Sequence, residues 1–153
     1  MHKMKKYQII NYHHLLSQID LQKVSKNQRK RLIELDVVLS DIVDKHESDV
    51  RKIRARLASG HEEEIKAVSA LNARLDTANE SEKAVLLEQI GSYENFSVIL
   101  KELNEEVNKR LMEDSAVDID RIDADELIEM CASSGVSITL DLFRDLRKSG
   151  LIN

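Results

Sequence analysis

The stretch SKNQRKRLIELDVVL, residues 25–39, begins a long helix and decides the fold class. Ser25 and Gln28 are spaced as a capping box, in which each side chain satisfies a backbone N–H group at the helix start. Apolar residues then recur every three or four positions, which indicates one helix face. This row consists of Leu32, Leu35, Leu39, Ile42, Val50, Ile53 and Leu57, with His46 in the same series. Since nothing breaks the pattern before Gly60, the sequence predicts a helix over residues 26–59.

Similar spacing predicts three further helices, over residues 7–24, 62–76 and 81–113. The apolar row of the last helix, Leu86 to Leu111, is as long as the row on the first long helix, so the two suit each other as packed neighbours. Two overlapping capping boxes between residues 77 and 82 predict a break there, and one continuous helix over 62–113 is the alternative. Four further apolar residues widen the apolar face of the helix at 26–59: Ile33, Val37, Val38 and Val43. A wide apolar face favours a helical bundle.

The predicted fold is all-α, an elongated antiparallel bundle of coiled-coil-like long helices over residues 1–113. An acidic linker over residues 114–122 leads to a small unit, residues 123–153, with two helices in a helix-turn-helix shape. Composition agrees, because the 153 residues include no proline, four glycines and 33% charged residues. This bias is typical of long helices rather than of sheets with tight turns.

Charge is distributed unevenly along the chain. Residues 1–31 carry eight Lys and Arg against one acid, whereas residues 61–130 carry seven against nineteen. Five cations crowd the start of the long helix: Lys23, Lys26, Arg29, Lys30 and Arg31. The helix dipole makes cations there unfavourable by roughly some tenths of a kcal/mol each. An anion is therefore expected close to this basic face.

Three sources could supply that anion: nucleic-acid phosphates, lipid headgroups, or the acidic region 61–130 of this chain or of a second copy. The acidic region would repel a long polyanion. Residues 3–19 lack the clean basic face and aromatic edge of a lipid-binding helix. We therefore expect the basic face to meet the protein's own carboxylates, within the bundle or between copies.

No sequence pattern indicates catalysis, a cofactor or a metal site, so an enzyme is not expected. Gly-rich phosphate loops and the His and Glu spacings of metal-binding helices are missing, and the single Cys131 cannot form an internal disulfide. His46 stands alone in an apolar row, where a core polar residue that fixes helix register is a commoner role than metal binding. IDADEL, residues 122–127, resembles the end of an EF-hand loop, but Asp120 replaces its turn glycine and calcium binding is not expected.

The segment ELIEMCASSGVSITLDLFRDLRKSGLI, residues 126–152, resembles a winged-helix DNA reader. The resemblance implies that its second helix would read DNA. Asp141 and Asp145 lie on that helix beside three cations, and acids there would repel phosphate. A nucleic-acid-binding regulator, using this tail or the basic N-terminal region, is therefore the alternative function.

The main prediction is a non-enzymatic structural or interaction protein that acts by helical self-assembly or by docking to a protein partner. Long matched apolar rows and separated charges favour a homo-oligomer. A small component of a larger particle, such as a phage or virus structural or scaffolding protein, has the same features. No apolar run approaches the roughly 18 residues of a membrane span, and no signal peptide is apparent. The expected location is the cytoplasm, or a particle assembled there.

Overall fold

The computed structural model describes residues 2–153, which fall into two compact units. Unit 1 contains residues 2–48 together with Arg110–Asn153, and unit 2 contains Asp49–Lys109. The all-α class is confirmed, since the described residues form seven α-helices and one two-stranded sheet. The division into units differs from the predicted one, because residues from both ends of the chain share unit 1.

The elements follow the chain in a simple order. Unit 1 begins with β1 (His2–Lys5), α1 (Lys6–Ser17), a short 3-10 helix (Leu21–Lys23) and the first part of α2 (Lys26–Ala58). Unit 2 holds the end of α2 with α3 (Glu62–Leu75), α4 (Glu80–Gly91) and most of α5 (Glu94–Leu111). Unit 1 is completed by β2 (Asp114–Val117), α6 (Ala124–Ser133) and α7 (Leu140–Ser149). Over residues 2–153 no helix is both long and apolar enough to cross a membrane.

α2 matches the predicted long helix to within one residue and runs for 33 residues. Its capping box is confirmed. The Ser25 N–H donates to Gln28 Oε1 at 3.0 Å, and the Gln28 N–H donates to Ser25 Oγ at 3.2 Å. The helix stops before Gly60, whose φ of 84° lies in the left-handed region that glycine adopts without strain.

The predicted helix over residues 7–24 is interrupted, because α1 ends at Ser17. The Asp20 N–H donates to Ser134 Oγ at 2.8 Å instead of continuing the helix. The Asp20 carboxylate accepts from the Gln22 N–H at 2.9 Å and starts the 3-10 turn. This break leaves Ile19 buried in unit 1. Contacts with a distant part of the chain thus override the local helical pattern.

The predicted single helix over residues 81–113 is wrong, because α4 and α5 are separate helices. They part after Gly91, where Ser92 Oγ donates to the Gln89 carbonyl at 2.6 Å, and Gly and Ser pairs commonly kink helices. Of the two overlapping capping boxes, the one from Asn79 caps α4, since its Oδ1 accepts from the Glu82 N–H at 2.9 Å. The alternative of one helix over 62–113 is also wrong.

The stretch predicted as an acidic linker contains β2, which pairs antiparallel with β1. Lys5 lies opposite Asp114, and Lys5 Nζ is 2.6 Å from Asp114 Oδ1. Met4 and Val117 bury their side chains in the core of unit 1. Neither strand was predicted, because four-residue segments carry too few positions to show an alternating pattern.

The core of unit 1 is built from both ends of the chain. α7 contacts α1, and the backbone of Ile152 forms an isolated parallel bridge with Ile122. Fully buried side chains meet here from α1, α2, α6, α7 and the last residues: Ile9, Tyr12, Leu39, Leu127, Met130, Leu146 and Leu151. The C-terminal helices therefore share one core with the N-terminal ones.

In unit 2, α3 and α4 pack against each other. Val68 from α3 and Leu86 from α4 are buried, as is Ile53 from the end of α2. Arg56 of α2 forms an ion pair with Glu106 of α5. The Phe96 N–H at the start of α5 donates to Glu64 Oε1 of α3 at 3.3 Å.

Candidate interaction surface

The five cations of the predicted basic face lie around the start of α2 and make different contacts. Arg29 Nε donates to the Leu21 carbonyl at 2.9 Å, which ties α2 to the preceding 3-10 turn. Lys30 Nζ lies 4.0 Å from Glu34 Oε1, one turn further along α2, and the two side chains are 77% and 57% exposed. Such an exposed pair contributes little to stability.

Arg31 joins α2 to the C-terminal part of unit 1. Its Nη1 donates to Glu126 Oε2 at 2.7 Å, and its Nη2 donates to the Arg121 carbonyl at 3.0 Å. Glu126 lies in the first turn of α6, where the helix dipole favours a carboxylate. Both side chains are partly buried, so water screens this pair less than a surface pair. The sequence indicated an acidic partner region for the basic face, but gave no signal for Glu126 in particular.

Three lysines of the basic face remain at the surface after these contacts: Lys23, Lys26 and Lys30. Over residues 2–153, neither Lys23 nor Lys26 forms an ion pair. The helix start therefore presents positive charge to solvent. That the five cations form an interaction face stays a prediction.

The outward side of α2 carries six residues at coiled-coil spacing, here called the outer stripe: Lys26, Lys30, Ile33, Val37, Ser40 and Asp44. Successive members are alternately four and three residues apart, which is typical of a helix face that packs against another helix. Ile33 and Val37 are 49% and 61% exposed. The prediction that they widen the core face is wrong, and so is that for Val38, because of these four only Val43 is buried.

The outward direction of the stripe follows from helix geometry. Ile33 and Val37 each lie two residues from the buried Leu35, which places them about 200° around the helix axis from it. α2 therefore has two apolar sides. The row through Leu35 and Leu39 faces the core of unit 1, and the side with Ile33 and Val37 faces solvent.

Two grooves run beside α2 in unit 1. The groove between α1 and α2 has a volume of about 250 Å³, and its lining is mainly apolar: Leu16, Ile19, Leu21, Leu32, Ile33 and Val37. His13 and Asp36 also line it and are joined by a contact of 2.9 Å between Nε2 and Oδ1. The groove on the other flank, about 260 Å³, is acidic on balance, because Glu34 and two aspartates line it with Arg31. The first groove thus extends the apolar area next to Ile33.

The residues considered for chemistry lie apart from the outer stripe. His46 is half-buried, in the row of α2 that contains Leu39 and Val43, and its role in fixing register stays a prediction. Burial raises the pKa of the Cys131 thiol, so little reactive thiolate forms at neutral pH. In the described part of the chain, no three His, Cys, Asp or Glu side chains are grouped as a metal site would require.

The helix that resembles a DNA reader, α7, makes contacts inside unit 1. Leu146 is fully buried, and Asp145 Oδ1 accepts from Gln8 Nε2 of α1 at 3.0 Å. Arg144 lies 3.6 Å from Asp141 on the same helix. One side of α7 is therefore occupied by α1.

No known protein family, curated protein or solved structure matches this chain.

Proposed function

We propose that this chain is a non-enzymatic interaction protein that acts by helical self-assembly. The observation that carries the proposal is the sparse core of unit 2. Of the twenty-one apolar residues buried in the described chain, only Ile53, Val68 and Leu86 belong to unit 2, although it spans sixty-one residues. Helical units need apolar burial to offset the conformational entropy lost on folding. A second protein surface would supply the missing burial.

α5 shows this shortage within one helix. No residue of Glu94–Leu111 is fully buried. Phe96, Leu103 and Val107 keep part of their surface in water, and Leu100 is exposed. These four residues recur at helical spacing, so they form one side of α5. A helix laid along this side would bury them together.

The charges of unit 2 favour another copy of the chain as the partner. The end of α2 carries Arg51, Lys52, Arg54 and Arg56, and α5 carries Glu94, Glu102, Glu105 and Glu106. Among these eight residues, Arg56 and Glu106 form the one ion pair found in the described chain. Most of the others are exposed and carry both signs of charge. Opposite charges on one surface set orientation when copies associate, although each pair adds little affinity.

Light scattering of the purified chain tests the proposal most simply. At tens of micromolar in low salt we expect the mass of a dimer or a larger assembly. Hydrogen exchange measured over the same concentration series should show amides of α5 becoming more protected as the assembly forms. A strict monomer throughout the series, with exchange independent of concentration, would overturn the proposal.

A further inference from the structure

We infer that two copies of this chain pair through the outer stripe of α2, antiparallel, about a twofold axis at the level of Leu35. The inference rests on the proposed self-assembly and goes beyond it, because the outer stripe lies in unit 1 and is a second surface for a copy of the chain, in addition to the α5 side of unit 2. Each copy would present the same stripe to the other, as a closed twofold dimer requires.

The charged and apolar residues of the outer stripe match those of a second outer stripe that runs in the opposite direction. In an antiparallel pair centred on Leu35, residues equally far before and after it face each other across the axis. Ile33 of one copy then meets Val37 of the other, so the apolar side chains lie at the centre. Lys26 meets Asp44, since both lie nine residues from Leu35.

The remaining facing positions are compatible with this register. Lys30 meets Ser40, and the exposed Asp41 stands beside Ser40 on the same side of α2. Because the axis repeats every contact, four lysines lie near four aspartates at the two ends of the apolar centre. A parallel pair in register would instead place Lys26 beside Lys26 and Asp44 beside Asp44, and like charges repel. Charge therefore selects the antiparallel arrangement.

The charged members of the stripe are available for a partner. Lys26 and Asp44 are 18 residues apart, or about 27 Å along one helix, so they cannot meet within a copy. Neither forms an ion pair within residues 2–153. The contact of Lys30 with Glu34 is long, at 4.0 Å, and largely accessible to water.

The apolar centre is broader than two side chains. The groove between α1 and α2 opens beside Ile33 and Val37, and the exposed Leu21 lies on its edge. A twofold axis perpendicular to the helices puts the grooves of both copies on the same side of the pair. Their apolar walls then add to the contact, giving an apolar centre with a charged rim, as in many protein interfaces.

Exchanging the charges of Lys26 and Asp44 tests the register, with the dimer Kd of the full chain measured by sedimentation equilibrium. Lys26→Asp or Asp44→Lys alone should raise the dimer Kd about tenfold or more, because each change turns two attractive pairs into two repulsive ones. The double variant restores opposite charges at both ends, so its Kd should return to within about threefold of the original. Glu129→Lys, an equal change of charge at an exposed residue of α6, should leave the Kd unchanged.

A second variant tests the apolar centre. Val37→Asp should weaken the dimer at least about a hundredfold. It should leave the thermal melt intact at concentrations where both proteins are monomers, because Val37 is mostly exposed in one copy. If the chain associates but none of these variants changes its Kd, or if the exchanged pair fails to restore it, the outer stripe is not the interface while self-assembly stands. A monomeric wild type would overturn both proposals.

Discussion

Truncating Arg31 should destabilise unit 1 by about 2 kcal/mol. Arg31 donates two hydrogen bonds, to the Glu126 carboxylate at 2.7 Å and to the Arg121 carbonyl at 3.0 Å. A hydrogen bond contributes about 1 kcal/mol on average, and more where a charged group is shielded from water. Water reaches this pair, because the side chains of Arg31 and Glu126 are 35% and 24% exposed, so we take about 1 kcal/mol for each of the two bonds. Glu126→Ala should cost less, about 1 kcal/mol, because Arg31 keeps its bond to Arg121. Both single variants lose the bond between Arg31 and Glu126, so their effects should not add. The double variant should lose about 1 kcal/mol less stability than the sum of the two single losses, and this difference is the coupling energy.

Urea unfolding of the wild type, the two single variants and the double variant gives these free energies by linear extrapolation, with NMR signals from unit 1 as the probe. The matched control is the same cycle on Lys30 and Glu34, which are 4.0 Å apart and well exposed. Their coupling should stay below about 0.5 kcal/mol. A coupling at Arg31 and Glu126 no larger than the control value would refute the reasoning from burial and geometry.

Two further predictions concern unit 1. Tyr12 is fully buried, and its hydroxyl finds no hydrogen-bond partner in residues 2–153. Tyr12→Phe should therefore stabilise the folded chain by about 1 kcal/mol and raise the Tm measured by calorimetry by a few degrees. A fall in Tm would show that the hydroxyl has a hydrogen-bond partner. The hydrogen bond from Lys5 and its positive charge lower the pKa of Asp114 below its ordinary value of 3.8. The stabilisation that this pair gives to the paired strands is therefore complete at pH values above the ordinary pKa of Asp114. It is lost as the pH falls through the lowered pKa. In an NMR titration Lys5→Gln should move the midpoint of Asp114 upward, and an unchanged midpoint would contradict the assigned cause.

Local signals in the sequence were enough to predict the long helix. Ser25 and Gln28 interact within one turn, and Gly60 ends the helix through its own backbone conformation. Each of these contacts joins residues close in the chain, so no knowledge of the tertiary fold was needed. The same holds for the capping box at the start of α4.

Long-range contacts explain what the sequence could not predict. Lys5 and Asp114 are 109 residues apart, and Arg31 and Glu126 are 95 residues apart. Helical periodicity carries no information about such pairs. For this reason the shared core of the two chain ends, and with it the partner of Arg31, was missed.

The outer stripe shows a further limit of periodicity. Ile33 and Val37 are four residues apart, as are Leu35 and Leu39, so an apolar pattern alone cannot tell which side of α2 faces the core. Packing in unit 1 decides it, burying Leu39 and leaving Val37 in solvent. The outer stripe can be recognised as a candidate surface for a second copy only when the side of α2 that faces the core is known.

Cross-linking with a carbodiimide, which joins an amine directly to a carboxylate in contact with it, tests the antiparallel pairing most directly. Equal amounts of ¹⁴N- and ¹⁵N-labelled chain are mixed, cross-linked and analysed by mass spectrometry. A bond between Lys26 and Asp44 must join two copies, because about 27 Å separates the two residues on one helix. Antiparallel pairing predicts this bond with mixed isotope labels, and its loss in Val37→Asp. Links between copies at other sites, with none from Lys26 to Asp44 and none from Lys30 to Asp41, would contradict it.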